Sequence, residues 1–352
     1  MIPGDGIGPE VVSASVEVLE ACAARYGGFA VEFVNLDWGS ERYKRTGALM
    51  PRDGLDTLRK VDAILFGAVG SPDLPDHLTL WGLRLAICQG LDQYANVRPI
   101  RLLEGIESPL RGVCQQDIDW VIIRENSEGE YSGQGGRSHR GSDMEVATEV
   151  SVFTRSGVER IMRFAFDTAR LRPAKHLTVV TKSNAQRFGM VLWDEVANIV
   201  AAEYPDVLCD KMLVDAMTVR MVMRPSSLDT IVATNLHADI LSDLAAGLAG
   251  SLGLAPTANL NPEGRFPSMF EPIHGSAFDI VGKGVANPLG TFWSTVMMLE
   301  HFGEADAAMR LMAAIEVVAA DPTLHTPDLG GEATTRAVTD AVIESIRGRN
   351  SL

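Results

Sequence analysis

Asp229-Thr230-Ile231-Val232-Ala233-Thr234-Asn235-Leu236-His237-Ala238-Asp239-Ile240-Leu241-Ser242-Asp243-Leu244 reads as a strand followed at once by a helix. In the helical part Ile240, Leu241 and Leu244 are apolar, and Asp239 and Asp243 stand four apart. Four residues make about one helical turn, so both carboxylates project from one face. Two hard oxygen ligands at that spacing suit Mg²⁺ or Mn²⁺. Taken alone, such a pair is more often a solvated helix face, and both readings stay open at this point.

The same alternation runs outward in both directions. Ala63-Ile64-Leu65-Phe66-Gly67-Ala68-Val69-Gly70 is a buried strand ending in a glycine loop, and Trp120-Val121-Ile122-Ile123-Arg124-Glu125 is another. Residues 30–36 and 176–181 also read as strands, and helices are expected over 11–25, 54–60, 81–93 and 158–169. Such βα alternation argues an α/β architecture with a mainly parallel sheet. The chain opens on Ile2-Pro3-Gly4-Asp5-Gly6-Ile7-Gly8, with Pro9 at a helix N1 position. The glycine spacing differs from G-x-G-x-x-G, and so little chain precedes Pro3 that no strand is expected to feed the loop. It is therefore not read as a dinucleotide fingerprint. Around 130–152, Gly133, Gly135, Gly136 and Gly141 sit among polar residues ahead of the alternating Glu145-Val146-Ala147-Thr148-Glu149-Val150. This reads as a glycine-rich hairpin leaving its domain, an arm of the kind that pairs with a second subunit.

With 352 residues, 46% hydrophobic and 22% charged, the chain suits a soluble enzyme of two domains or one large α/β unit. Its formal net charge of −15 repels a polyanion, which argues against sequence-independent nucleic-acid binding but not against a small anionic substrate met by local arginines. Cys22, Cys88, Cys114 and Cys209 are scattered without a C-x-x-C, so neither a zinc site nor a disulfide framework is indicated. No run approaches the roughly 18 apolar residues of a spanning helix, and no signal peptide is visible, so no membrane association and a cytoplasmic location are expected.

Several segments occur in one order from end to end: Pro3-Gly4-Asp5-Gly6-Ile7-Gly8-Pro9-Glu10-Val11, Phe66-Gly67-Ala68-Val69-Gly70, Asn96-Val97-Arg98-Pro99, Arg124-Glu125-Asn126-Ser127-Glu128-Gly129-Glu130-Tyr131, Thr181-Lys182-Ser183-Asn184, the Asp239/Asp243 helix, Phe270-Glu271-Pro272-Ile273-His274-Gly275-Ser276-Ala277 and Ala286-Asn287-Pro288. As a set they resemble the β-decarboxylating dehydrogenases, the family of isocitrate, 3-isopropylmalate, homoisocitrate, D-malate and tartrate dehydrogenases. Pro75-Asp76-His77, Leu80-Trp81-Gly82 and Glu128-Gly129-Glu130-Tyr131 look most like its tartrate and D-malate branch. The resemblance implies a two-domain, isopropylmalate dehydrogenase-like α/β fold with a mainly parallel sheet. A discontinuous first domain (1–94 and 251–352) would carry the cofactor, and a central domain (95–250) would carry a β-hairpin dimer arm at about 130–152. The active site would lie in the cleft between them and be completed by the partner subunit of a homodimer. Relatives also have a β-strand ahead of the first glycine loop, where this sequence has only Met1 and Ile2.

The reaction so implied is oxidation by NAD of a 2-hydroxy acid bearing a C3 carboxylate, followed by loss of that carboxylate, with Mg²⁺ or Mn²⁺ as Lewis acid. By resemblance the metal ligands are Asp239 and Asp243 of one subunit and Asp215 of the other. Lys182 matches the lysine that takes up the hydroxyl proton, and Tyr131 the tyrosine that protonates the enol carbon. Arg98 and Arg124 match arginines that clamp substrate carboxylates, a task suited to the planar fork. His274, Gly275, Ser276 and Ala277, with Asp279 and Ile280, match the adenosine loop of NAD-using members. Asn287 would help hold the adenine, and residues 67–72 would lie near the nicotinamide. Asp279 can accept from ribose hydroxyls and repels a 2′-phosphate, which favours NAD over NADP. Without the resemblance, Lys182 reads as a strand-end surface residue, Tyr131 as a hairpin aromatic, and Asp215 as a capped or exposed acid in a mostly apolar helix.

The pattern is broken in two places by the side chains. The third clamp arginine is replaced by Cys88, while Arg84 stands one turn earlier, where isopropylmalate enzymes place an apolar residue against the isopropyl group. Positions 84 and 88 share a helix face. Arg84 is therefore expected to replace the missing clamp or to bind a polar or anionic substituent, and no isopropyl pocket is expected. His237-Ala238 replace an aromatic residue and glycine. His237 lies about 200° round the helix from Asp239, so a hydrogen-bonded structural role is expected for it, not metal ligation. The sequence reading is an NAD- and metal-dependent dehydrogenase of a small dicarboxylate, tartrate or D-malate. The alternatives are a 3-isopropylmalate or homoisocitrate-type dehydrogenase and a catalytically impaired cofactor-binding dimer. The presence of Lys182, Tyr131, Asp215, Asp239 and Asp243 weighs against the last.

Overall fold

The computed structural model describes residues 1–348. The chain divides into two compact units, each built from separated stretches. The terminal unit comprises Met1–Gln93, Arg101–Gln115 and Ala246–Leu352, and the central unit Tyr94–Ile100 and Gln116–Ala245. The strands are β1 (Ile2–Gly4), β2 (Ala63–Ala68), β3 (Ala95–Arg101), β4 (Asp119–Glu125), β5 (Gly129–Ser138), β6 (Val146–Val152), β7 (His176–Thr181), β8 (Leu208–Leu213), β9 (Thr230–Ala233), β10 (Pro256–Leu260) and β11 (Ser268–Pro272).

In the terminal unit β1 runs parallel to β2, β2 parallel to β11, and β11 antiparallel to β10. A strand therefore does feed the first glycine loop, contrary to the sequence reading. Three residues suffice because Ile2 is fully buried opposite Phe66 and packs with Ile64, Met269, Leu83, Ile87 and Cys88. Residues 30–36, read as a strand, form no ladder. Met1 bonds to them, its amine donating to Val34 O at 2.7 Å and its carbonyl accepting from Leu36 N at 2.9 Å, and Leu36 packs on the apolar cluster around Ile2. The helix expected over 81–93 begins at Asp76 and ends at Gly90, with a π-helical turn at Leu80–Arg84. Arg101–Gln115, placed by the sequence in the central domain, belongs with the terminal unit. Leu102, Leu103 and Ile106 are buried there, Arg101 pairs with Glu316 at 2.6 Å, and Ser108 Oγ donates to Leu248 O at 2.7 Å.

The central unit carries the strand order β3-β4-β9-β7-β8. From β4 to β8 every pairing is parallel. Trp120, Ile122 and Ile123 of β4 are fully buried, as in a strand covered on both faces. Parallel pairing puts the C-terminal ends of β4, β9, β7 and β8 on one edge, where α/β proteins build their sites. Arg124, Asn235, Lys182 and Asp215 all stand at or just beyond those ends. β5 and β6 form a separate antiparallel ribbon, exposed along nearly all its length, at the position where the glycine-rich hairpin was read. The four cysteines are free thiols, and no described helix is long and apolar enough to cross a membrane.

Candidate active site

Arg98 on β3 and Arg124 on β4 are both buried and converge on one carboxylate oxygen, Asp239 Oδ1. Arg98 Nη1 reaches it at 3.3 Å and also donates to Ser242 Oγ at 2.5 Å, while Nε donates to Asn96 Oδ1 at 2.9 Å. Arg124 Nη1 makes a short contact with the same oxygen, and its Nε and Nη2 donate to Asn235 Oδ1 at 2.8 and 2.6 Å. Two preoriented forks meeting at one carboxylate are suited to gripping a dicarboxylate. Tyr131 OH donates to Asp239 Oδ2 at 3.4 Å, and the Arg124 guanidinium lies 5.4 Å from the centre of its ring. Arg98, Arg124, Tyr131 and Asp239 are thus brought together from four segments.

Asp243, although it reaches solvent, has its carboxyl pushed above the usual range, first by partial burial and then by Asp239, with Arg98 and Arg124 opposing. Two acids that strain each other one turn apart are a donor set that a divalent cation would relieve, so these residues fit the implied metal. Asp215 is not in the body of a mostly apolar helix. Lys211–Leu213 end β8, and Asp215 stands exposed in the first turn of the helix Val214–Met223. There it accepts from Lys182 Nζ at 2.5 Å, a bond that holds its carboxyl below the usual range. Within one chain it therefore joins Lys182 and not the Asp239/Asp243 pair. Among the described residues no three His, Cys, Asp or Glu side chains converge as a metal cage.

His237 is buried, and burial holds its imidazole below the usual pKa, with Glu130 opposing and Lys182 adding to the shift. The hydrogen bond expected of a structural histidine is not made at Nδ1, which is buried without a partner among the described residues. Both carboxylate oxygens of Glu130 are likewise buried and unpartnered. The sequence reading used Glu130 only as part of a branch motif. Its place immediately before Tyr131 was the available signal.

The adenosine-type loop lies in the terminal unit, tied to the first glycine loop by Ile7 N donating to Ser276 O at 2.9 Å. Ala277 takes φ 40°, a left-handed value costly for a non-glycine residue and found mostly at ligand clamps and turns. His274 Nδ1 lies 3.0 Å from Gly275 O, which assigns its proton to Nδ1 and leaves Nε2 a buried acceptor without a partner. Burial holds this imidazole below its usual pKa. An orphaned acceptor beside the open Gly275 and the exposed Asp279 fits a nucleotide bearing hydroxyl and amino donors. Ile280 packs on Ile7, Val11 and Ala286. Asn287 spends its side chain inside the protein, Nδ2 on Asp328 Oδ2 at 3.0 Å and Oδ1 on Leu289 N at 3.0 Å. Asp328, which also accepts from Ser251 Oγ at 2.5 Å, supports this corner and was not foreseen.

Arg84 is committed within the terminal unit. Its Nε and Nη2 lie 2.8 and 2.7 Å from Glu271 Oε1, and Asn259 Nδ2 donates to the same oxygen at 2.7 Å. Cys88, one turn on, is 1% exposed inside the apolar cluster, a position where a guanidinium would be desolvated.

The fold and these two groups of residues define an oxidoreductase of α/β architecture. The family model for isocitrate/isopropylmalate dehydrogenase matches residues 1–346, and the chain belongs to that family. It is 67% identical over 351 residues to the "Probable tartrate dehydrogenase/decarboxylase TtuC" of Agrobacterium vitis, covering 100% of this chain and 96% of that one. It is 49% identical to the D-malate dehydrogenase [decarboxylating] of Escherichia coli (strain K12), over 98% of this chain and 97% of the other. The crystal structure of isocitrate dehydrogenase from Methylococcus capsulatus superposes with a TM-score of 0.89 at 38% identity, over 98% of both chains. The chain is accordingly a decarboxylating dehydrogenase of hydroxy acids.

Proposed function

We propose that this enzyme oxidises and decarboxylates a small 2-hydroxy dicarboxylic acid, tartrate or D-malate, using NAD and Mg²⁺ or Mn²⁺, in the cytoplasm. The observation that carries the substrate class is the convergence of Arg98 and Arg124 on Asp239 Oδ1, with Tyr131 beside it. The 67% and 49% identical relatives named for tartrate and D-malate carry the choice within the class. Arg98 and Arg124 bind the substrate carboxylates. Lys182 Nζ takes up the 2-hydroxyl proton, and Tyr131 OH returns a proton to the enol carbon once CO₂ has left. Residues 274–280 and Asn287 would hold NAD, which would supply the hydride acceptor, and Asp239 and Asp243 would hold a divalent ion, which would supply Lewis-acid chemistry. The test is NADH production across a panel of 2-hydroxy acids, with NAD against NADP and before and after EDTA. Turnover of tartrate or D-malate with NAD, lost on EDTA treatment and restored by Mn²⁺, is expected. Equal use of NADP would refute the role of Asp279, and full turnover after EDTA the metal assignment.

We further propose a homodimer in which Asp215 of one subunit completes the Asp239/Asp243 pair of the other. The exposed ribbon of β5 and β6, with Met144, Val146 and Val150 open to solvent, supports a partner there. Asp215→Asn and Asp243→Asn should each be inactive alone. Mixed after dissociation, they should recover activity, because one site per hybrid dimer then has all three acids. No recovery in a mixture shown to contain hybrids would place the whole cage within one chain.

A further inference from the structure

Asp5 is buried inside the first glycine loop, and its carboxylate gathers two other segments. Oδ1 accepts from Ser40 N at 2.7 Å, and Oδ2 accepts from Ser40 Oγ at 2.6 Å and from Gly70 N at 2.9 Å. Its own amide donates to Ala68 O at 2.9 Å, at the end of β2. The junction admits no side chains. A Cβ on Gly6 would stand 1.8 Å from Ser276 O, and one on Gly39, where φ is 143°, 2.8 Å from Asp5 Oδ1. Residues 4–8, 39–40, 67–70 and the 274–277 loop are therefore registered on one another at main-chain distance.

We propose that Asp5 is a positioning residue for the cofactor: its carboxylate fixes the 67–72 loop through the Gly70 amide, and so sets the nicotinamide half relative to the adenosine half. This rests on the reading above that 274–280 hold the adenosine half of NAD and on the family resemblance, which implies that 67–72 lie near the nicotinamide. Each half has a separate tether. The adenosine loop hangs on the main-chain bond from Ile7 to Ser276, which needs no side chain. The 67–72 loop hangs on a carboxylate with two acceptor oxygens. Asparagine at position 5 separates the two tethers. Its carbonyl can still accept from Ser40 N and its amide can turn to Ser40 Oγ, which can accept. The amide cannot accept from Gly70 N–H, so that one bond is lost and a half-buried donor is left without it.

The test titrates the full chain and Asp5→Asn with NADH, followed by fluorescence, and with AMP, the adenosine half alone, followed by calorimetry. Losing a hydrogen bond to a charged group should raise the Kd for NADH at least about tenfold. The Kd for AMP should stay within about twofold, because the Ile7–Ser276 bond survives. Unchanged NADH binding, or equal weakening of both ligands, overturns the proposal. If Asp5→Asn does not fold, Ser40→Ala decides. It removes one of the three donors and lets the carboxylate turn, so NADH should weaken about threefold with AMP unchanged, and unchanged NADH binding overturns the proposal. A wild-type protein that binds neither probe overturns the cofactor reading and this proposal together. Wild-type binding with unaffected variants overturns the proposal alone.

Discussion

Lys182→Met is expected to cut NADH production by roughly 10²–10⁴-fold, the range for losing a positioned general base. Methionine keeps the length of the stem and removes the amine proposed to take the hydroxyl proton. Folding should hardly respond, because the partner Asp215 is largely exposed and an exposed ion pair contributes little. Tyr131→Phe should fail differently. It removes the hydroxyl that donates to Asp239 Oδ2 and leaves the ring under Arg124. Hydride transfer should be slowed less than the protonation that follows decarboxylation. NADH, CO₂ and the final product, measured separately on each variant, resolve the steps. If both variants lost every product in the same proportion, the division of labour between Lys182 and Tyr131 would be wrong.

Arg84→Leu is expected to destabilise the protein by about 3–5 kcal/mol, the cost of leaving one partner of a buried pair uncompensated. Glu271 is the group left behind, with a side chain 4% exposed and both Arg84 and Asn259 on one oxygen. From the sequence alone the same substitution would be a probe of substrate charge. The ion pair makes it first a probe of folding, so lost turnover in the single variant does not report on substrate contact. Arg84→Leu combined with Glu271→Gln removes the orphaned charge and should recover a large part of the lost stability. Substrate preference measured on that double variant then isolates what Arg84 does for the ligand. Loss of tartrate or D-malate turnover in a stable double variant supports a specificity role. Denaturant melts showing the single variant within about 1 kcal/mol of wild type would contradict the Arg84–Glu271 assignment.

Much of this molecule is decided by short-range information. β2, β4 and β7 follow from apolar runs of strand length, and the helices Arg155–Leu171 and Asn235–Leu248 from their period. The glycine-rich ribbon follows from composition and alternation, and the identity of the residues at the parallel strand ends follows from motif order. Those features depend on neighbours within a few positions, which is the range over which side-chain period and turn chemistry act. What the sequence could not decide is where contacts span long separations. The strand read at 30–36 had the right local pattern but joins no ladder: Met1 bonds to Val34 and Leu36, and Leu36 packs on the cluster around Ile2. Arg84 and Cys88 looked like two members of one polar face, and their surroundings were chosen by chain far away in sequence: Glu271 and Asn259 take the guanidinium, while the cluster around Ile2 and Met269 surrounds the thiol. That the Glu130 carboxylate and His237 Nδ1 are buried without partners among the described residues, and that the Asp5 carboxylate gathers three donors, is not legible in the sequence. Burial and the count of satisfied hydrogen bonds belong to the packed chain, since only packing removes water and makes each polar partner matter.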